Sequence, residues 1–394
     1  MDEEYRFYGI GRYSTNLTPI EGRIKKRPSD FIVEELNDEG MPVSSISYTT
    51  EAGAYLVILA IRENMAHHRM VRKLARFFRV SPDDIGTGGI KDKKAIVTQM
   101  VSVFEPRKNV DFEEFILEPG LLIRNLGWRK KGVVKGHIGG NQFRIVIRDT
   151  IDLSNEMIQS MTKELSEAQL LNFYGPQRFG GMRPVNSKVG RAIFERDFET
   201  AVKLYVGEPS LKNIAENEYR NLFRETLDPE LVLSQWVGIN SEEKAILEWL
   251  IRRPNDYEGA IYQLPKSMIS LLRRSFISYL WNRYLTNRFT TGILKGERLV
   301  SLRNKKNIEV ALPSGKWPKP LNEIWEEVFD SLNLNVNLFR SEKHTTRFLF
   351  MNQENLTISP SSRNSLQISF SLTTGQYATV LLREVMRSPL QNYI

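Results

Sequence analysis

The chain has 394 residues, 41% of them hydrophobic and 26% charged, which is ordinary for a globular protein of two or three domains. It contains no cysteine, and this excludes disulfides, iron–sulfur clusters, thiolate zinc sites and cysteine nucleophiles. The net charge of +8 favours an anionic partner, and RNA, DNA or an acidic membrane surface would each provide one.

Neither a membrane span nor a secretory signal is expected. The longest apolar stretches fall well short of the roughly 20 residues that a spanning helix needs. Residues 1–14 lack a basic region followed by an apolar run. Together with the absence of cysteine, this predicts a cytoplasmic protein. Nothing in the sequence bears on the oligomeric state, and a monomer is the starting expectation.

Histidine chemistry is also sparse. The four histidines are His67, His68, His137 and His344. Neighbouring histidines point about 100° apart on a helix, and no His-x-x-x-His spacing occurs, so we expect no bound metal. The chain has no phosphate-binding loop and no nucleophile elbow, so no nucleotide cofactor and no hydrolase triad are predicted.

The first predicted helix is strongly basic and follows two predicted strands, at 31–36 and 53–61. Residues 62–79 contain six Lys/Arg and one Glu. Apolar residues recur in it at helical spacing and would form a core stripe: Val71, Leu74, Ala75 and Phe78. A further strand, rich in β-branched residues, is predicted at 95–105.

A second basic window, 124–148, has seven Lys/Arg and no acidic residue. Its end alternates strictly, with Phe143, Ile145 and Ile147 on one face of a predicted strand and Arg144, Val146 and Arg148 on the other. Either basic window alone is typical of a solvated face. Two such windows without compensating acids favour phosphate binding.

The remaining predicted elements complete an α+β pattern rather than a series of βαβ units. Helices are predicted at 155–171 and 266–289, and the chain ends in a strand, a Thr-Thr-Gly turn and a helix. Residues 198–345 differ in character, with acidic patches and a Pro/Lys loop at 313–320. We predict that they form an inserted domain, which divides the rest into 1–197 and 346–394.

The densest candidate for chemistry is GTGGIKDKKAIVTQ, residues 86–99. Three glycines permit close backbone approach or left-handed residues, and Asp92 follows between Lys91 and two further lysines. One interpretation is a charged turn before a strand. The other is a catalytic carboxylate held beside a polyanion, with the lysines countering repulsion from its phosphates.

A second candidate is the loop NFYGPQRFGGMRP, residues 172–184. Its glycines and prolines exclude a regular helix or a central strand. Aromatic rings beside amide and guanidinium groups suit a flipped base, which needs a stacking face and polar edges. A rigid, aromatic-packed connection is the alternative.

Together these segments resemble the TruD family of tRNA pseudouridine synthases, in its archaeal form. Five segments match family motifs in the family's order: IKKRPSDFIVEE (24–35), GGIKDKKAIVTQ (88–99), GHIGGNQFRIVIR (136–148), NFYGPQRFG (172–180) and FSLTTGQYATVLLRE (370–384). The resemblance implies the pseudouridine-synthase fold, a mixed central sheet flanked by helices, with an inserted TRUD domain of α/β type.

The resemblance also implies site residues. Asp92 falls on the catalytic aspartate, Lys25 on the basic residue that pairs with it, and Tyr174 on the aromatic residue that stacks on the target base. Asn172 would support the active-site loop. Four further residues match the motifs without an individual role: Lys91, Gln177, Arg178 and Phe179.

The chain departs from the family pattern at a few positions. Phe173 replaces a tyrosine, Thr373 and Thr374 stand where proline is common, and Ile277 stands where glutamine is frequent. Ile277 lies in the predicted insertion, so this difference concerns RNA contact rather than the reaction.

The implied reaction converts a uridine of tRNA, usually uridine 13, to pseudouridine. Nothing is added or removed, so the reaction needs no cofactor, which agrees with the absence of metal and nucleotide motifs. A non-catalytic protein that binds structured RNA is the alternative. A nuclease is a weaker one, because clustered carboxylates or a histidine pair are not evident.

Overall fold

The computed structural model describes residues 3–107, 110–211, 214–289, 292–302, 305–317 and 321–393. Its main feature is a mixed sheet of nine strands. In chain order they are β1 (Phe31–Leu36), β2 (Tyr55–Glu63), β3 (Ile85–Thr87), β4 (Ile96–Phe104), β5 (Glu114–Glu118), β6 (Leu121–Arg129), β7 (Gly140–Arg148), β11 (Gln353–Ser362) and β12 (Ser365–Thr373). A smaller sheet contains β8 (Glu297–Leu302), β9 (Lys305–Ala311) and β10 (Thr346–Phe348).

Twelve helices lie within the described ranges. They are α1 (Glu3–Arg6), α2 (His67–Phe78), α3 (Asn155–Glu167), α4 (Asn186–Glu195), α5 (Phe198–Gly207), α6 (Ile214–Thr226), α7 (Pro229–Gln235), α8 (Ser241–Arg252), α9 (Tyr257–Ile261), α10 (Lys266–Asn287), α11 (Glu323–Ser331) and α12 (Ala378–Met386). None of these helices is both long enough and apolar enough to cross a membrane.

The main sheet has the order β11-β12-β7-β1-β4-β2-β6-β5. β1 and β4 run parallel, whereas the other pairings among its described strands are antiparallel. β1 pairs with residues 96–98 of β4, and the short β3 pairs with residues 101–103 of the same strand. The chain between β3 and β4, which carries Asp92, therefore lies close to where β1 enters the sheet.

The predicted strands agree with those observed to within two residues, and the alternation in β7 is confirmed. Phe143, Ile145 and Ile147 are buried, whereas Arg144 is exposed and Arg148 is partly exposed. The predicted mixed sheet flanked by helices is confirmed as well.

The prediction of a helix from residue 62 was wrong at its start. Arg62 pairs with Val97 on one side and Leu121 on the other, so β2 continues through Glu63 and the helix begins at His67. The apolar stripe of α2 covers one face of the sheet, where Leu74, Ala75 and Phe78 are buried.

The long helix α10 is largely buried, which explains its lack of a single apolar stripe. It packs against α4. Contact is so close that a Cβ added to Gly190 would stand 2.1 Å from the carbonyl oxygen of Leu272, so glycine is required there. Side chains of α10, such as Trp281, share one buried cluster with strands of the main sheet and with α11.

A second large buried cluster joins residues of α4 to α9, from Val185 to Ile261, with Leu264 and Leu272. These clusters describe packing and do not by themselves divide the chain into domains. The division into 1–197, 198–345 and 346–394 stays a prediction, and residues 318–320 of its Pro/Lys loop lie outside the described residues.

Candidate active site

Asp92 lies in the middle of the loop between β3 and β4, with its side chain 35% exposed. Nζ of Lys25 donates a hydrogen bond of 2.8 Å to its Oδ1. The lysine side chain is only 6% exposed and lies 4.4 Å from the centroid of the Phe31 ring. The carboxylate is therefore open to a ligand on one side, while the cation that holds it is shielded from water.

The backbone of the Asp92 loop is held by a second cation, Arg62. Its guanidinium donates 3.0 Å hydrogen bonds to the carbonyl oxygens of Lys91 and Asp92, and a further one to the carbonyl of Met65. The Arg62 side chain is fully buried. Burial lowers the pKa of this guanidinium, and the nearby Asp92 charge opposes that shift. Arg62 thus fixes the loop without touching the carboxylate itself.

Lys91 turns inward rather than toward solvent. Its Nζ lies 3.0 Å from Oε1 of Glu35, a residue of β1 that is fully buried. The second carboxylate oxygen of Glu35 accepts a 3.0 Å hydrogen bond from the N–H of Met100. Burial raises the pKa of Glu35, and the Lys91 charge opposes that shift. Of the lysines around Asp92, Lys93 and Lys94 are the exposed ones.

Two of the three glycines before Asp92 are required for close packing, whereas a Cβ on Gly89 would meet nothing within 4 Å. A Cβ on Gly86 would lie 2.4 Å from Oγ of Ser102, and one on Gly88 would lie 2.6 Å from a methyl group of Ile138. Neither glycine has a positive φ. Of the two uses predicted for these glycines, the structure shows the close approach of neighbouring atoms and not a left-handed backbone conformation.

A cavity of about 340 Å³ opens beside Asp92, within the size range of small-ligand pockets. Its apolar wall includes Phe31, Phe143 and Tyr377, and Ile90 stands at it with 74% exposure. Polar side chains also line it: Asn141, Gln177, Gln376 and Thr379.

The loop 172–179 lies between this cavity and the helix α10. Asn282 of α10 holds it at Tyr174, accepting from the Tyr174 N–H at 2.8 Å and donating to its carbonyl at 3.0 Å. Nε of Arg178 donates to Oγ of Ser278, at 3.1 Å. Phe179 is fully buried, with its ring 5.6 Å from that of Tyr8.

Asn172 is 3% exposed and lies within this scaffold rather than in the cavity. It donates through Nδ2 to the carbonyl of Phe348 at 2.9 Å, and Arg347 donates to its Oδ1 at 2.8 Å. Tyr174 also lies outside the cavity. Its ring centroid is 6.0 Å from that of Tyr377, and the guanidinium of Arg347 lies 3.7 Å from it.

Comparisons with known proteins agree with this architecture. The family model described as tRNA pseudouridine synthase D (TruD) matches residues 7–312. The chain belongs to that family. It is therefore a pseudouridine synthase, an isomerase that converts uridine to pseudouridine.

Two relatives named probable tRNA pseudouridine synthase D come from species of Methanosarcina. The Methanosarcina mazei protein is 32% identical over 346 residues, which cover 84% of this chain and 74% of that protein. The Methanosarcina barkeri protein is 30% identical over 441 residues and covers 97% of each chain. A crystal structure titled as a TruD of Methanosarcina mazei has a TM-score of 0.75 at 25% identity, covering 98% of both chains.

Of the residues that the TruD motifs point to, the structure gathers three at the cavity, namely Asp92, Lys91 and Gln177. Lys25 joins them through its bond to Asp92. Asn172, Tyr174, Arg178 and Phe179 form the scaffold beside the cavity instead.

Two residues of this TruD site escaped the sequence analysis. Arg62 was counted among the surface cations of a helix, and Glu35 was quoted only within a motif. A signal for Glu35 existed, because Glu34 and Glu35 are neighbours on a central strand and must face opposite sides of it. Among the described residues, no group of three or more His, Cys, Asp or Glu side chains could hold a metal ion.

Proposed function

We propose that this chain isomerises a uridine of tRNA, uridine 13, with Asp92 as the catalytic carboxylate. The observation that carries the proposal is the partly exposed Asp92 carboxylate, anchored at 2.8 Å by the shielded Lys25 and standing in the wall of a cavity of about 340 Å³. The choice of uridine 13 as the target position rests on the family resemblance alone.

The reaction needs one well-placed carboxylate. The C1′–N1 bond of uridine breaks, the uracil rotates, and C5 joins C1′, while a proton leaves C5 and N1 takes one up. Asp92 can take part as a nucleophile at C1′ or as a base at C2′, and both routes require it ionised. The ammonium of Lys25 donates to one oxygen of the Asp92 carboxylate and fixes it, so that the other oxygen is free to react.

A groove beside the cavity supports an RNA strand as the substrate. This groove, of about 520 Å³, is lined by one face of α10 and by residues 341–346, and Tyr174 and Arg178 form its border with the loop 172–179. Lys266, Arg274 and Lys343 line it as exposed cations, with no ion-pair partner in the described part of the chain. Such unpaired cations suit the phosphates that flank a target nucleotide.

Flipping a base out of its stack costs a few kcal/mol, which stacking and phosphate contacts offset. We propose Tyr174 as the stacking partner. Because Tyr174 lines the groove and Tyr377 lines the cavity, stacking on Tyr174 places the base at the border between them. Asn172, Gln177, Arg178 and Phe179 would support this loop, and Lys91 would hold the loop of Asp92 against Glu35. A monomer acting in the cytoplasm completes the proposal.

The test is conversion of transcribed tRNA, mapped by primer-extension stops after carbodiimide treatment. Wild type should give a stop at uridine 13, and Asp92→Asn should abolish it while tRNA binding changes by no more than a few-fold. Asp149→Asn is the matched control, because Asp149 is another aspartate that pairs with a lysine, Lys26, at 2.9 Å but lies outside the cavity.

The alternative, a non-catalytic RNA-binding protein, predicts tight binding and no stop for wild type on any tRNA. Residual conversion by Asp92→Asn at more than about one hundredth of the wild-type rate would contradict the role proposed for Asp92.

A further inference from the structure

Three buried polar atoms around the Asp92 cavity have no hydrogen-bond partner among the residues that the structure describes. They are Oδ1 of Asn141, Nε2 of Gln376 and Oγ1 of Thr379, and all three residues line the cavity. Buried polar groups are nearly always paired in folded proteins, so three orphans around one cavity need an explanation.

Different elements bring these three residues together. Asn141 is the second residue of β7, Gln376 lies in the turn after β12, and Thr379 lies in the first turn of α12. Gly140 of β7 pairs with Thr373 of β12, so the turn stands next to Asn141. The N–H of Asn352 donates to Oε1 of Gln376 at 3.0 Å. This bond fixes the amide orientation and leaves Nε2 as the free donor.

We propose that Gln376, Asn141 and Thr379 form a cradle that reads the N3 edge of the target uracil, an inference that rests on the proposed function. Uracil presents O4 as an acceptor, N3–H as a donor and O2 as an acceptor. The cradle offers the complement: the Gln376 amide donates, the Asn141 carbonyl accepts and the Thr379 hydroxyl donates. Enzymes that flip a base commonly read this edge by hydrogen bonds.

The same cradle discriminates against cytosine. Cytosine has an amino donor where uracil has O4, and an unprotonated nitrogen acceptor where uracil has N3–H. The donor of Gln376 would then face the amino donor of cytosine, and the carbonyl acceptor of Asn141 would face the acceptor N3. Sites built to hydrogen-bond a substrate reject an analogue that leaves their buried polar groups unpaired.

The symmetry of the uracil edge suits the isomerisation. Rotation by half a turn about the axis through N3 and C6 exchanges N1 with C5, and it exchanges O2 with O4. N3–H stays on the axis. A donor–acceptor–donor cradle is therefore satisfied by the base both before and after it rotates, and it retains the detached uracil in register with C1′.

The base reaches the cradle only with some side-chain movement. All three orphan atoms are shielded from solvent in the structure, although the cavity beside them is open. Rotamer changes of this size are common when a ligand binds. A substitution of Gly175 would obstruct the site, since a Cβ there would lie 2.9 Å from Oγ1 of Thr379.

A double-mutant cycle tests the central contact. The tRNA carries either uridine or 3-methyluridine at the target position, and the protein is wild type or Asn141→Ala. With wild type, 3-methylation should slow single-turnover conversion by roughly 100-fold or more, and Asn141→Ala should slow conversion of uridine roughly 10- to 100-fold. In Asn141→Ala, 3-methylation should slow single-turnover conversion by less than about 5-fold, because this variant no longer has the carbonyl that accepts from N3–H. Fully additive losses would overturn the proposal.

Thr379 provides a matched pair of variants that separates the hydroxyl from the shape of the side chain. Thr379→Ser should convert uridine within about 3-fold of wild type, and Thr379→Val should lose 10-fold or more with an unchanged melting temperature. Equal rates for the two would remove Thr379 from the cradle. Wild type is assayed first. A wild type without activity on any tRNA refutes the proposed function, whereas an active wild type with an additive cycle refutes the cradle alone.

Discussion

At the scale of single residues, the Asp92 site separates the carboxylate that we propose to react from the groups that hold it. Lys25 contacts the carboxylate, whereas Arg62 contacts the backbone carbonyls of the same loop. Because the Arg62 guanidinium binds carbonyls, it leaves the Asp92 carboxylate accessible from the cavity. The Arg62 guanidinium also fixes the backbone of this loop, which the neighbouring glycines do not restrain.

We predict that Arg62→Lys lowers the single-turnover rate roughly 10- to 100-fold, while the Kd for tRNA changes by less than about 3-fold. A lysine keeps the charge but cannot reach several carbonyls with a planar fork, so the Asp92 loop would lose its alignment. Single-turnover kinetics and tRNA-binding isotherms on the same preparations measure the two effects.

Arg363→Lys is the control for that prediction, because Arg363 is an exposed arginine in the turn before β12. A variant at Arg62 that binds tRNA more weakly but reacts at the wild-type rate would assign this residue to substrate binding instead.

Single residues show most clearly which parts of the site could be predicted from the sequence. The motif around Asp92 pointed to the loop, the family resemblance pointed to Lys25, and the structure joins Lys25 to Asp92 at 2.8 Å. The sequence did not reveal that Lys91 turns inward to Glu35 or that Arg62 is buried. A lysine or arginine in a basic segment is normally solvated. Only the tertiary structure shows which carboxylates and carbonyls lie within its reach.

At the scale of elements, α10 connects the loop 172–179 to the rest of the molecule. Trp281 donates to the carbonyl of Asn172 at 2.9 Å, and Asn282 brackets Tyr174. The sequence predicted this helix to within two residues at its end, because basic and aromatic residues without a breaker favour a long helix. Its partners could not be predicted, since a helix buried on several sides carries no apolar stripe that would point to one neighbour.

The end of α10 is anchored by a buried ion pair. Arg288, just after the helix, donates to Glu297 at 2.6 Å and 2.9 Å, and the two side chains are 2% and 0% exposed. Burial alone would raise the pKa of Glu297, but hydrogen bonds from Arg288, the Leu294 N–H and Tyr284 outweigh it and hold that pKa below its usual value.

We predict that Glu297→Gln lowers the free energy of unfolding by about 3–5 kcal/mol, because it leaves the Arg288 guanidinium buried without its counter-charge. Since the pKa of Glu297 is lower in the folded state, its contribution is fully present above the unfolded value of about 4.5 and is lost as the pH falls through the folded value. Chemical denaturation at pH 7 and pH 3.5 should therefore show a smaller difference between variant and wild type at the acid pH.

Glu218→Gln serves as the control, because Glu218 is an exposed glutamate on α6. A difference between Glu297→Gln and wild type that stays the same at both pH values would contradict the ion-pair explanation.

At the scale of the whole molecule, packing joins stretches of chain that lie far apart in sequence. One cluster contains Ile145 of the main sheet together with Trp281 of α10 and Trp325 of α11. Another is confined to helices between Val185 and Leu272. The change of composition at 198–345 indicated a region of different character, but composition cannot show which of its residues pack against the sheet.

The two clusters predict different consequences for two core substitutions of similar severity. Trp281→Ala and Phe223→Ala should each lower the free energy of unfolding by roughly 3–5 kcal/mol, because both side chains are almost fully buried, at 0% and 1% exposure.

Hydrogen exchange in the native state measures which elements each substitution destabilises. For Trp281→Ala we expect faster exchange both in α11 and in β7, since one cluster includes both. For Phe223→Ala we expect faster exchange in α5 to α9, with β7 as protected as in wild type. If Trp281→Ala left β7 fully protected, the sheet and α10 would be energetically independent, and the loop 172–179 would then depend for its position on two units that can open separately.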